Sequence, residues 1–268
     1  MLITRVAMGD EVVFAAVDGV GATGQLEPGA TVSLIDAHPF GGITLTGRTL
    51  PAAQVRMLAP ILPSKIVAVG KNYAAHAAEM GGEVPGEPMI FFKPNTAVIG
   101  PGVPIVLPPS SKEVELEAEL AVVVGRMCRN VPREKAADVI LGYTVANDVT
   151  ARDQQRSDQQ WGRAKGYDTF CPLGPWINTD IDVTDVEIWS AINGVEAQHA
   201  STRTMVRDVP TLVAFISTVM TLLPGDVILT GTPAGVAGIH DGDSVTVAVD
   251  GIGQLSNPVK ADAGDRPW

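Results

Sequence analysis

Four glutamates at alternate positions, Glu113, Glu115, Glu117 and Glu119, run directly into the apolar stretch Leu120–Val124. On an extended strand a period of two turns all four carboxylates to one face, where like charges repel. A divalent cation would remove that repulsion, and an oxygen-only donor set favours Mg2+ or Mn2+ over zinc. A solvated acidic edge strand is the other reading of the same pattern. Asp148 stands where a strand over 143–149 gives way to a helical turn, a place where site residues gather but where an aspartate also serves as a helix cap. His76 and Glu79, three apart on a short helical stretch, share a face. They can form a carboxylate-oriented imidazole for general-base chemistry, or a solvated surface pair. Lys165 lies among aromatics and glycines in WGRAKGYDTFCPLGPW, where an ammonium could meet a carboxylate or an enolate, although a lone lysine is ordinarily a surface residue.

The chain that must position these groups has 268 residues, 46% hydrophobic and 18% charged, with 28 glycines and 20 prolines. That profile excludes a disordered chain and a coiled coil, and the length suffices for one large domain or one domain with a small appendage. A formal charge of -11 repels phosphate backbones and anionic headgroups, so neither nucleic acid nor membrane is expected as a partner. The two cysteines, Cys128 and Cys171, have no metal-ligand spacing and are expected to be reduced thiols in a cytoplasm. The first apolar run is broken by Gly9, Asp10 and Glu11, unlike a signal peptide, and the stretch over 212–223 is interrupted by Ser217, Thr218 and Thr221 and too short to span a bilayer. The expectation is a soluble cytoplasmic protein.

The first sixty residues read as short strands with glycine-rich turns and end in LAPILPSKI, where Pro60 and Pro63 mark a boundary. A small N-terminal β-rich domain over 1–60 and a larger catalytic domain over 61–268 are expected. Within the larger unit, strands are expected over 65–70, 89–93, 113–125 and 143–149, and helices over 74–80, 133–141 and from Pro210 to before Pro224; Asp250-Gly251 is a hairpin signal. Helices this few exclude a regular βαβ alternation and leave a mostly β, mixed-sheet architecture. Gly19-Val20-Gly21-Ala22-Thr23-Gly24 matches a dinucleotide fingerprint, but the following Gln-Leu-Glu-Pro-Gly cannot open the helix that such a site requires. Thr230-Gly231-Thr232-Pro233 lacks the Gly-Lys-Ser/Thr of a phosphate loop. No nucleotide cofactor is expected.

Taken in chain order, GKNYAAHAAEM (70–80), FFKP (91–94), EAELAVVVG (117–125), NDVTARDQQ (147–155), AKGYDTFCPLGPW (164–176) and LTGTPAGV (229–236) resemble the signature segments of the fumarylacetoacetate hydrolase family. The resemblance covers about residues 65–260 and implies an α+β, mostly β fold: the mixed β-roll of that family with the small N-terminal β-rich domain, assembled as a homodimer. It implies that Glu117, Glu119 and Asp148 hold Mg2+ or Mn2+, with Glu113 and Glu115 outside the metal shell. Lys165 would be the active-site lysine, His76 with Glu79 the catalytic pair, and Tyr73, Arg152 and Thr232 substrate contacts. No acid just before Gly70 matches the further acidic ligand of the larger members, so the resemblance is to the smaller acylpyruvase, oxaloacetate decarboxylase and 2-hydroxyhepta-2,4-diene-1,7-dioate isomerase subgroup. The activity it implies is metal-dependent turnover of a small 2-oxo diacid through a metal-stabilised enolate, foremost decarboxylation of oxaloacetate to pyruvate and CO2. Isomerisation or decarboxylation of the heptadienedioate and C–C hydrolysis of an acylpyruvate are the alternatives, and a metal-stabilised binding protein without turnover is the non-enzymatic one.

Overall fold

The computed structural model describes residues 1–264; the last four residues of the expected catalytic domain lie outside the described residues. Alternating apolar residues at the N-terminus form an antiparallel meander of Leu2–Met8, Glu11–Val20, Leu26–Ile35 and Leu45–Pro51. The glycine-rich run over 19–24 is the bend of its second hairpin, with Gly19 at φ +82 and Gly24 at φ +70. Leu2 and Ile3 pair with Asn178 and Ile177, so the meander continues the sheet of the larger unit without a break.

Among the described residues that sheet has twelve strands. Its main path runs from the meander through Cys171–Asn178, Ile140–Asn147, Ala118–Val124, Val227–Leu229 and Ile66–Gly70 to Met89–Lys93. Most neighbours are antiparallel, while Val227–Leu229 and Ile66–Gly70 run parallel, which makes the sheet mixed. A five-stranded sheet and a three-stranded one complete a mostly β molecule. The helices are α1 (Ala74–Glu79), α2 (Arg152–Ser157) and α3 (Val209–Val219). Asp208 caps α3 by accepting from the Thr211 N–H, and Pro210 sits in its first turn, where a missing N–H costs nothing. Among the described residues no helix is long and apolar enough to cross a membrane.

Three expectations change. The strand expected over 113–125 is two strands, Val114–Leu116 and Ala118–Val124, which belong to different sheets and break at Glu117. Ala118–Val124 is no solvated edge: it is buried throughout and paired on both sides, with Ile140–Asn147 and with Val227–Leu229. The helix expected over 133–141 is a 3-10 helix over Arg133–Val139, after which Ile140 begins a strand; the adjoining β-branched Val139 and Ile140 favour extended backbone. Cys171–Asn178 forms a strand despite carrying Pro172, Gly174 and Pro175, and every residue in it is buried in the sheet.

Side-chain alternation on Ala118–Val124 serves two cores. Leu120, Val122 and Val124 enter the larger one, and Ala121 and Val123 face a smaller one rich in alanine. Burying the three large side chains contributes about 1.5–3 kcal/mol each. That is enough to hold the register that carries Glu119, on the face of Ala121 and Val123, into the interior.

Candidate active site

The register of two strands assembles three carboxylates. Ala118 lies opposite Asn147, and the ladder extends one step further, with the Asp148 N–H donating to the Glu117 carbonyl at 2.9 Å. Glu117 and Asp148 are therefore cross-strand neighbours, and Glu119 follows Glu117 on the same face. Asn147 reinforces the junction by accepting from the Glu117 N–H at 2.9 Å. One oxygen from each of Glu117, Glu119 and Asp148 lies within 4.8 Å of the others. All three side chains are almost wholly buried, at 3%, 1% and 0% exposure. Asp148 does not cap α2, whose N-cap is Ala151.

Cations surround this triad unevenly. Glu117 accepts from Arg152 Nη2 at 2.6 Å on one oxygen and from Lys165 Nζ at 2.6 Å on the other. Burial opposes its ionisation, but the charges of Lys165 and Arg152 overcome that and hold its pKa down to about 2. Asp148 accepts from Lys93 at 2.5 Å and from Lys165 at 2.8 Å. Among the described residues no cation forms an ion pair with Glu119: its bond is to the Gly231 N–H, at 2.6 Å, and the charge of Lys165 acts on it only from a distance. Burial, together with the charges of Asp148 and Glu117, raises its pKa well above the usual carboxylate range. Three converging oxygen donors, one of them lacking a countercharge, suit a hard divalent cation such as Mg2+ or Mn2+.

The two buried lysines have different capacities. Lys93 donates to Asp148, to the Lys165 carbonyl at 2.5 Å and to the Val149 carbonyl at 3.3 Å, which uses all three ammonium hydrogens. Lys165 donates to two carboxylates, which leaves one hydrogen, and its ammonium lies 5.2 Å from the centre of the Phe91 ring. Lys165, and not Lys93, lines a cavity of about 180 Å³ together with the triad, His76, Arg152 and Thr232. Burial works against the Lys165 charge, but Asp148 and Glu117 outweigh it and raise its pKa, so the ammonium stays charged.

His76 Nδ1 sits 3.0 Å from Glu79 Oε2, and Glu79 Oε1 accepts from the Gly235 N–H at 2.9 Å. The pair is thereby tied to the loop over 229–236, with Nε2 left as the ring nitrogen for proton transfer. Arg152 engages Glu115 through Nε at 2.7 Å and Gln155 through Nη1 at 2.6 Å, besides Glu117, so it braces the triad while lining the cavity. Glu115 lies outside the triad on Arg152, and Glu113 pairs with Arg156. The Thr232 hydroxyl donates to the Ala118 carbonyl at 2.9 Å and accepts from Gln198 Nε2 at 2.8 Å. Tyr73 is buried outside the lining of this cavity, and its hydroxyl has no hydrogen-bond partner among the described residues. Burial first and then the Glu119 charge raise the Tyr73 pKa.

Sequence reasoning missed Lys93, although its motif FFKP was in view; a conventional lysine pattern carries no sign that the ammonium will be buried. It also missed Gln198, whose Oε1 accepts from the Ala118 N–H at 2.9 Å across 80 residues of chain, and no local signal could have revealed it. Gly231 was noted only within Thr230-Gly231-Thr232-Pro233, which is no phosphate loop, and within the segment LTGTPAGV. Its φ is +100, and a Cβ there would lie 2.8 Å from the Asn72 Cβ, so both the backbone conformation and the space demand glycine. Gly231→Ala is expected to destabilise the protein by about 2–4 kcal/mol. Chemical denaturation measures this, and an unchanged midpoint would contradict the packing described.

Residues 65–260 match the family model "Fumarylacetoacetate (FAA) hydrolase C-terminal", and residues 1–60 match "Rv2993c-like, N-terminal". The chain is 56% identical over 263 residues to protein Rv2993c of Mycobacterium tuberculosis, covering 97% of this chain and 98% of that one. It is 53% identical to the crystal structure of 2-hydroxyhepta-2,4-diene-1,7-dioate isomerase from Mycobacterium marinum, with a TM-score of 0.90 over 98% of this chain and 99% of that one. It is also 43% identical over 195 residues to the mitochondrial oxaloacetate decarboxylase of Dictyostelium discoideum, covering 70% of this chain and 89% of that one.

Proposed function

The chain belongs to the fumarylacetoacetate hydrolase family, and from that premise we propose that it is a Mg2+- or Mn2+-dependent enzyme of small 2-oxo diacids, decarboxylating oxaloacetate to pyruvate and CO2. The observation that carries this reading is Lys165: a buried ammonium with one hydrogen unengaged, held between Glu117 and Asp148 at the wall of a cavity of about 180 Å³. Pockets for drug-sized ligands occupy about 300–1,000 Å³, so the volume favours an occupant of a few carbons.

Glu117, Glu119 and Asp148 would hold the metal, which when bound supplies a Lewis acid for the carboxylate and keto oxygens of a 2-oxo acid. When the bond to the C4 carboxylate of oxaloacetate breaks, CO2 leaves and the electron pair remains on the C3 side, placing negative charge on the C2 oxygen. Lys165 is positioned to donate its third hydrogen to that oxygen, which is electrostatic stabilisation of developing charge. His76, oriented by Glu79, delivers the proton that C3 needs to become the methyl group of pyruvate. Phe91 beside Lys165 keeps that end of the cavity apolar, where charge interactions are stronger than in water.

The similarity to a dienedioate isomerase supports a second reading, in which the His76–Glu79 pair takes the proton from the enol oxygen of a dienol and returns one to a carbon of the conjugated chain, so that no carbon–carbon bond breaks. Purified protein assayed with oxaloacetate, acetylpyruvate and the heptadienedioate in parallel separates the two, with protein-free metal controls because oxaloacetate loses CO2 slowly on its own. Turnover of oxaloacetate that EDTA abolishes and Mn2+ restores is expected. Turnover of the dienedioate alone moves the protein to the isomerase reading, and activity indifferent to EDTA overturns the metal-dependent assignment.

A further inference from the structure

We propose that Lys71 holds the distal carboxylate of the substrate and thereby sets a preference for diacids over monoacids; the inference rests on the 2-oxo diacid reading above and names the group that recognises its second charge. Four side chains bearing fixed positive charge line the cavity: Lys71, Arg152, Arg156 and Lys165. Three of them are already engaged by carboxylates, Arg152 by Glu115 and Glu117, Arg156 by Glu113, and Lys165 by Glu117 and Asp148. Lys71 pairs with no acid among the described residues. A second carboxylate entering the cavity meets one cation whose charge is not already neutralised.

The backbone at this position points the same way. Lys71 follows the strand Ile66–Gly70 and leads toward α1, at φ +56, in the left-handed region where glycine is at ease and other residues are rare. A turn that glycine would make without strain carries instead a long cationic side chain. Gly82, just beyond α1, leaves room for it: a Cβ at Gly82 would lie 2.5 Å from the Lys71 Nζ. The ammonium therefore rests over bare backbone at the edge of the cavity, free to donate to an incoming carboxylate.

Calorimetric titration of the Mn2+-loaded protein with pyruvate and with 2-oxoglutarate tests this. Both carry the 2-oxo acid head, only the second has a distal carboxylate, and neither has the β-keto carboxylate that would be lost as CO2. The wild type is expected to bind 2-oxoglutarate more tightly than pyruvate. Lys71→Gly is expected to weaken 2-oxoglutarate binding about 10- to 100-fold, as loss of a charge-assisted hydrogen bond does, while pyruvate binding is retained. Lys71→Arg is expected to keep most of the difference. Glycine suits φ +56, so a weakened Lys71→Gly with an unchanged Tm reports recognition and not misfolding. Equal loss for both acids, or no loss for either, overturns the role of Lys71 while leaving the function reading intact. A wild type that binds neither acid overturns the function reading and this inference with it.

Discussion

Glu119→Gln is expected to weaken Mn2+ binding by at least about 100-fold, since loss of even an outer partner of a metal ligand costs 10- to 100-fold, while leaving the metal-free protein as stable as the wild type or more so. The stability half follows from the uneven distribution of cations. Glu119 is buried with only a backbone N–H as partner, beside two other carboxylates, so removing its charge removes repulsion and a desolvation cost. The amide keeps the shape and can still accept from Gly231. The same change at the other two carboxylates of the triad has the opposite sign. Glu117→Gln leaves Arg152 and Lys165 short of a countercharge, and Asp148→Asn does the same to Lys93 and Lys165. Breaking a buried ion pair from one side costs about 3–5 kcal/mol, and at this chain length each kcal/mol lowers Tm by about 2–4 °C. Mn2+ titration and thermal melts of the three variants without metal read both halves. A Glu119→Gln that binds Mn2+ with unchanged affinity, or melts as low as the other two, would sink the assignment.

Lys165→Met is expected to lower kcat by about 10²–10³, the usual cost of removing one donor from developing negative charge, and to lower Tm as well. Methionine preserves the apolar length of the side chain against Phe91 but removes the charge that Glu117 and Asp148 share. The control is Lys93→Met. It breaks a buried pair of similar kind, so its Tm should fall comparably, yet Lys93 is outside the cavity with all its hydrogens engaged, and its kcat should fall far less. Steady-state rates and melts of the two variants distinguish an ammonium that meets the reacting oxygen from one that holds Asp148. Equal losses of kcat would place Lys165 among the positioning residues.

Much of the site is legible along the chain because its candidate residues lie on regular elements or at their ends. The Glu117 and Glu119 spacing is a strand period, His76 and Glu79 are one helical turn apart, and Asp148 marks a strand end; each is a local geometric rule. The ordered motifs pointed to the family, which the comparisons bear out, and with it to a mostly β fold. Less legible was the division of roles among charges. Arg152 and Thr232, which the resemblance makes substrate contacts, both line the cavity, and each has a further role that no local pattern announces: Arg152 clasps Glu115, Glu117 and Gln155, and Thr232 gives its proton to a carbonyl.

Residue type and spacing by themselves narrowed the candidates to four alternating glutamates on an extended segment and an aspartate at a strand end, because side-chain direction follows from backbone period; the family resemblance chose Glu117, Glu119 and Asp148 among them. Tertiary structure alone decided which of those groups is neutralised and which is left exposed to reaction. The chain breaks at Glu117 and passes from one sheet to another. Lys93 arrives from the far edge of the large sheet, Gln198 from the second sheet, and Lys71 from a left-handed turn. Electrostatic energy depends on distance through a buried medium and not on distance along the chain, so a charge becomes a structural clasp or a catalytic group only when the fold has chosen its neighbours.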